Sequence, residues 1–264
     1  MTRTISKTIV CILSLQICVC TTLHAAPSDK VNSFAIGPSL SQITYKEPGY
    51  MEDKGVMYGL SSSYLWHGDA LGPIGMIKVE SEATWGSVDY SSNSSGTIKG
   101  VPDSMFETRL LLGTNFPREG STVFTPYAGL GYRRLTDNSE GMISSLGKLG
   151  YSRLSNYYYS PIGIDISSDL KKGWSIGGSL EYDHLWHGTQ VTGGYIFNDQ
   201  KKGYGVRAAA KIRKQLDNSS ILSFEPFIRY WNIDVSEMVV SGSYLVVEPK
   251  NNSTEYGIRI ALEF

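Results

Sequence analysis

Asp183 and His187 lie four residues apart in EYDHLWHG. In an extended chain, positions two or four apart share a face. An acid beside a histidine at the rim of a sheet is the arrangement a general base needs. His184 adjoins Asp183 and so points to the opposite side, and His67 stands alone in the sequence. The other charged residues follow a regular beat. Lys78, Glu80 and Glu82 alternate with Ile77, Val79, Ser81, Ala83 and Trp85, while Glu107 and Arg109 alternate with Phe106, Thr108, Leu110 and Leu112. Glu181 and Asp183 are spaced in the same way, as are Arg207, Lys211 and Arg213, then Glu225 and Arg229, then Glu255, Arg259 and Glu263. With Arg133 and Asp165, the polar face holds nine acids and eight bases. Opposite charges on adjoining strands pair across a ladder, so this near-balance predicts an ion-pair network. The sequence contains no metal-ligand spacing, no glycine-rich phosphate loop and no nucleophile motif, so neither a metal nor a cofactor is expected.

A period of two positions these charges on β-strands. Ten amphipathic segments read as strands: 34–45, 56–66, 77–85, 105–116, 123–135, 154–167, 174–186, 203–213, 222–231 and 254–264. From residue 77 onward the oily face is expected to carry no charge. The connections 46–55, 86–104, 136–153, 187–202 and 232–253 are long and polar, whereas FPREGST, DLKKG and KQLDNSS are short. HGDALGPIGM, at 67–76, is intermediate and fits least well. Alternating short turns and long loops, with an even strand number, form the pattern of a transmembrane up-and-down antiparallel β-barrel. Eight or twelve strands follow if the 56–85 region is divided differently. A soluble barrel or sandwich shares the period with its charged face in water.

The placement of aromatic residues separates these readings. Phe116, Phe124, Trp174, Phe224 and Phe264 fall at the short-turn ends of the oily rows. Trp85, Phe106, Tyr132, Tyr158, Tyr182, Tyr204, Tyr230 and Tyr256 fall at the long-loop ends. Eight steps separate Trp174 from Tyr182; at ~3.3 Å per residue and ~40° tilt they span roughly 20 Å, close to the height of an apolar band. Ala83, Ala128, Gly178, Ala208 and Ala210 occupy the middle of these rows, where lipid tolerates small residues.

Residues 1–25 read as a cleaved signal peptide: Arg3 and Lys7, an apolar run from Ile9 to Cys20, then Ala25. The barrel domain is expected over 26–264. Cys11, Cys18 and Cys20 all fall in the leader, so no disulfide is available to the exported chain. With Arg3 and Lys7 removed, 22 basic residues face 25 acidic ones, a charge of about −3 that does not suggest nucleic-acid binding.

The chain ends in YGIRIALEF, with Tyr256, Ile258, Ile260, Leu262 and Phe264 on one face, and TPYAGLGYR occupies 125–133. In both stretches the sequence resembles the small outer-membrane β-barrel proteins of Gram-negative bacteria. The resemblance implies that the five terminal residues form the signal read by the barrel-assembly machinery, and that the surroundings are outer-membrane lipid and lipopolysaccharide. It implies no particular activity. Barrel proteases of the omptin kind use Asp and His at a rim, but no second acidic pair is evident here. A lipid A-modifying His–Ser pair would need His187 beside Ser63 or Ser179, which the sequence does not bring together. The expected role is structural, or adhesion and interaction at the cell surface through a ligand held by the long loops. A small porin-like solute channel is the alternative, followed by a rim hydrolase using Asp183 and His187. LVVEP, within SGSYLVVEPKNN, is apolar enough for a small hairpin above the membrane, and 141–151 is similar.

Overall fold

A computed structural model describes residues 32–264 apart from 72, 119 and 217–219, so the expected leader lies outside the described residues. The alternating segments form β1 (Asn32–Glu47), β2 (Met51–Leu71), β3 (Ile74–Ser92), β4 (Gly96–Gly113), β5 (Phe116–Pro117), β6 (Thr122–Asn138) and β7 (Ser152–Asp169). They continue with β8 (Trp174–Thr192), β9 (Ile196–Gln200), β10 (Gly203–Gln215), β11 (Ile221–Ile233), β12 (Val239–Ser241), β13 (Tyr244–Val246) and β14 (Asn251–Glu263). Ten long strands pair antiparallel in the order β1-β2-β3-β4-β6-β7-β8-β10-β11-β14, and β14 returns to β1. The sheet thus closes with no free edge, the condition for strands to cross lipid. At the seam Tyr256 opposes Gln42 and Leu262 opposes Ile36. The Phe264 amide donates to the Phe34 carbonyl at 2.8 Å, and the Phe34 amide donates back at 3.2 Å. β5 adds a short pairing to β6, and β9 extends the β10 side along β8.

Exposure settles which face touches what. Ile36, Leu60, Val79, Leu110, Leu130, Ile162, Leu180, Val206, Ile228 and Ile260 supply one outward side chain from each barrel strand, and each is at least 37% exposed. A continuous apolar belt of this kind far exceeds the patches soluble monomers present to water. Hydrocarbon is its solvent. Outward rings mark the upper edge of the belt, where Tyr182 stacks on Tyr204 at 6.1 Å and Tyr132 lies 5.1 Å from Tyr158. The oily face departs from its expected neutrality at Arg134. That side chain points outward opposite Phe106 in the register, two residues beyond Tyr132, at interfacial height where a long basic side chain reaches water.

Several expected loops are strand instead. β3 and β4 run on to a three-residue turn at 93–95, and β8 and β9 to one at 193–195. These extensions stand in water, so their apolar side turns inward: Ile43, Met57, Val88, Ile98 and Val101 form a buried cluster. β3 keeps its inward parity while its chemistry inverts, whereas β4 gains a bulge between Ile98 and Val101 that lets both turn inward. The period-two reading weakened where lipid gave way to water. Above the barrel, β12 and β13 pair as a small hairpin, and Ile143 bridges Leu149 within 141–151.

Candidate functional site

The inward positions converge on Glu107 of β4. Its carboxylate accepts Arg207 Nη1 at 2.7 Å and Nη2 at 2.6 Å, Arg229 Nη1 at 3.2 Å and the Tyr159 hydroxyl at 2.7 Å. Arg207 Nε donates to Asp183 at 2.6 Å and lies 3.1 Å from Glu181. Arg109 joins Glu80 to Glu181, and Arg229 binds Glu82. Arg259 reaches Glu82 at 2.9 Å and Glu225 at 2.6 Å. Lys78 meets Glu80 at 2.6 Å, Lys211 meets Glu225 at 2.7 Å, Arg229 approaches Glu255 at 3.6 Å and Arg213 approaches Glu263 at 3.9 Å.

Some of these contacts join adjoining strands, as between Glu80 and Arg109, Glu181 and Arg207, or Glu225 and Arg259. Others cross the lumen. β4 meets β8, β10 and β11, and β3 meets β11 and β14, with no ladder between them. Arg133 and Asp165 make no ion pair among the described residues. The Arg133 guanidinium instead lies over the Trp231 ring at 5.4 Å, and Asp165 faces Lys78 and Lys211. Glu107 is 4% exposed, Arg229 and Trp231 are 2%, and Arg133 and Tyr159 are 1%, so the charges at this level are largely shielded from solvent. On the short-turn side lies a cavity of about 150 Å³, bordered by His67, Lys78, Tyr127, Asp165, Lys211 and Arg213. His67 Nδ1 is 3.1 Å from Asn115 Nδ2, and Asn115 accepts the Thr125 hydroxyl at 2.8 Å.

The pair Asp183 and His187 is not assembled. Asp183 is fully buried against Arg207 inside the barrel. Between Leu185 and His187 the register with β7 shifts by one residue at Trp186. That bulge turns His187 outward, where its ring stacks 6.5 Å from the exposed Tyr158. A bulge reverses the parity of every residue beyond it, and nothing in EYDHLWHG announces one. Ser63 and Ser179 border the inner cavity, away from the outward His187.

A second charged cluster lies in segments read from the sequence as connections. Arg153, five residues outside Tyr158 on β7, contacts Glu47 at 3.0 Å, Asp53, and Asp137 at 3.5 Å. Its guanidinium lies over the Tyr45 ring at 5.3 Å. The Tyr45 hydroxyl is 3.3 Å from Glu47 and 3.4 Å from Glu248. Inward parity carried past the aromatic girdle would have found Glu47, Asp53, Asp137 and Arg153. Glu248 arrives on a loop and had no such signal.

Closed connectivity, oily belt and ion-paired interior together define a ten-stranded transmembrane β-barrel. Its fold is similar to that of the outer membrane protease OmpT from Escherichia coli, with a TM-score of 0.63 and 11% identity over 88% of this chain and 95% of that one. A looser likeness is to the translocator domain of the autotransporter NalP from Neisseria meningitidis (TM-score 0.41, 12% identity, 88% and 89% of the two chains). The transport unit of the autotransporter AIDA-I from Escherichia coli behaves likewise (TM-score 0.43, 8% identity, 90% and 92%). At such identities the likeness concerns the fold alone. No family model and no curated protein matches the chain.

Proposed function

We propose that the protein is an integral outer-membrane barrel whose lumen is closed by its ion-pair network, and that it serves as a rigid support for its outer extension rather than as a solute pathway. The observation that carries this reading is Glu107, bound at once from β7, β10 and β11 on the barrel axis. Glu107, Arg207 and Arg229 are each ion-paired there, so the network resists both ion entry and the loss of any of the three. The outer extension supplies the contact surface, through the loop at 141–151 and the hairpin of β12 and β13, where Leu149, Val240, Tyr244 and Leu245 are all more than 70% exposed. Surface loops on a rigid scaffold are where such proteins meet partners. In this reading Tyr256, Ile258, Ile260, Leu262 and Phe264 guide insertion by the barrel-assembly machinery into lipid and lipopolysaccharide. Planar-bilayer recording tests the closure. Rare, small openings at neutral pH are expected. Sustained ohmic conductance would refute the closed lumen and favour the small solute channel.

A further inference from the structure

The Arg153 cluster closes the outer mouth separately from the network below it. β7 lies five strands from β1 in either direction round the barrel, so the contact of Arg153 with Glu47 crosses the full opening. Five carboxyls gather there: Glu47 from β1, Asp53 from β2, Asp103 from β4, Asp137 from β6 and Glu248 from the 234–250 loop. Arg153 is the one base among them, with Lys148 at the margin beside Asp137. The phenols of Tyr45, Tyr90, Tyr151 and Tyr157 and the neutral Ser155 and Gln190 complete the surroundings. Deeper in the lumen acids and bases nearly balance; here they do not. Glu47 and Glu248 converge on one hydroxyl, that of Tyr45, at 3.3 and 3.4 Å, so two carboxyls from distant parts of the chain are held side by side. Asp53 is 3% exposed, yet its Oδ1 has no partner among the described residues.

We propose that this cluster is a proton-dependent latch, which ties the 234–250 loop and the β1–β2 hairpin to Arg153 while its carboxyls share protons and releases them as the carboxyls ionise. Like charges held together without counterions repel. Protons supply the neutrality that a single guanidinium cannot. These groups stand outside the membrane belt; Asp137 and Arg153 are five residues beyond the girdle residues Tyr132 and Tyr158, and Asp53 is five beyond the exposed Tyr58, which opposes Trp85 of the girdle, or ~16 Å along the strand. Burial foremost, then mutual repulsion, lifts Asp103 and Glu248 to about 8, and burial lifts Asp53 to about 7 and raises Glu47. These folded values lie above the ordinary carboxylate value of about 4. The latch is therefore at full strength below pH ~4 and is lost as pH rises through 7 to 8.

The chain has no cysteine after Cys20, so a thiol placed under the latch is a clean reporter. Ser155→Cys sits beneath Arg153, and Ser243→Cys at the exposed hairpin tip controls for thiol ionisation. The ratio of their labelling rates with a neutral maleimide is expected to rise about tenfold between pH 6 and pH 9, as the opening population grows. In the Asp103→Asn/Glu248→Gln background, which keeps two of the titrating groups permanently neutral, the rise shrinks several-fold to the share left by Asp53 and Glu47. A flat ratio with the native latch overturns the proposal, as does an unchanged rise in the double variant. Should the double variant lose its heat-shifted mobility in detergent gels, Glu248→Gln alone is read. The rise then shrinks by about half, and an undiminished rise overturns the latch. The readout is access from outside and is independent of conductance, so it fails or succeeds apart from the closed-lumen reading.

Discussion

Glu107→Gln keeps the volume of the side chain and removes the charge on which the lumen network converges. Arg207 would retain Asp183 at 2.6 Å and Glu181 at 3.1 Å, and Arg229 would retain Glu82 and Glu255. Removing one partner of a buried pair costs about 3–5 kcal/mol because the other charge is left uncompensated. The retained carboxylates place this substitution at the lower end, about 3 kcal/mol, or roughly 150-fold in the folding equilibrium. Urea titration of refolding into phosphocholine vesicles, followed by tryptophan fluorescence and by the heat-dependent gel shift, measures it. A matched control is Glu237→Gln, which removes the exposed partner of Lys201 on the outer extension and should leave the midpoint unmoved. Because Arg207 is the main loser, Glu107→Gln and Arg207→Met should be non-additive, with a coupling of about 1–3 kcal/mol. A cost for Glu107→Gln below about 1 kcal/mol would refute the reasoning, since the lumen would then be hydrated enough to screen its charges.

The belt and the packing give further expectations. Leu110→Lys puts a cation on the lipid face, four residues from the girdle at Phe106 and 41% exposed as leucine; it should cost about 2–4 kcal/mol in the same titration. Gly131→Ala places a Cβ against the Tyr159 ring. Overpacking of about 1–3 kcal/mol is expected, with a weakened Tyr159–Glu107 bond seen as a change in near-ultraviolet dichroism.

The sequence by itself determined the architecture. Side-chain parity has a period of two whatever surrounds the strand, so the ten segments and, Arg134 apart, the alternation of charged and oily positions from Ile77 to Leu262 can be read from the sequence. The aromatic levels then indicated which face met lipid. Tertiary structure decided what parity does not encode. Closing the sheet set β4 opposite β10 and β11, so Glu107 met Arg207 and Arg229 across a lumen, although linear order relates neighbouring strands alone. One bulge at Trp186 parted Asp183 from His187. Above the girdle the solvent changes from hydrocarbon to water, reversing the hydrophobic sense of the same strands and hiding the outer ends of β3 and β4 inside an apparent loop. The outer latch was illegible for that reason and for one more. A guanidinium from β7 can satisfy acids from β1, β2 and β6 because a closed barrel brings opposite walls within one side-chain length, a distance no spacing along the chain records.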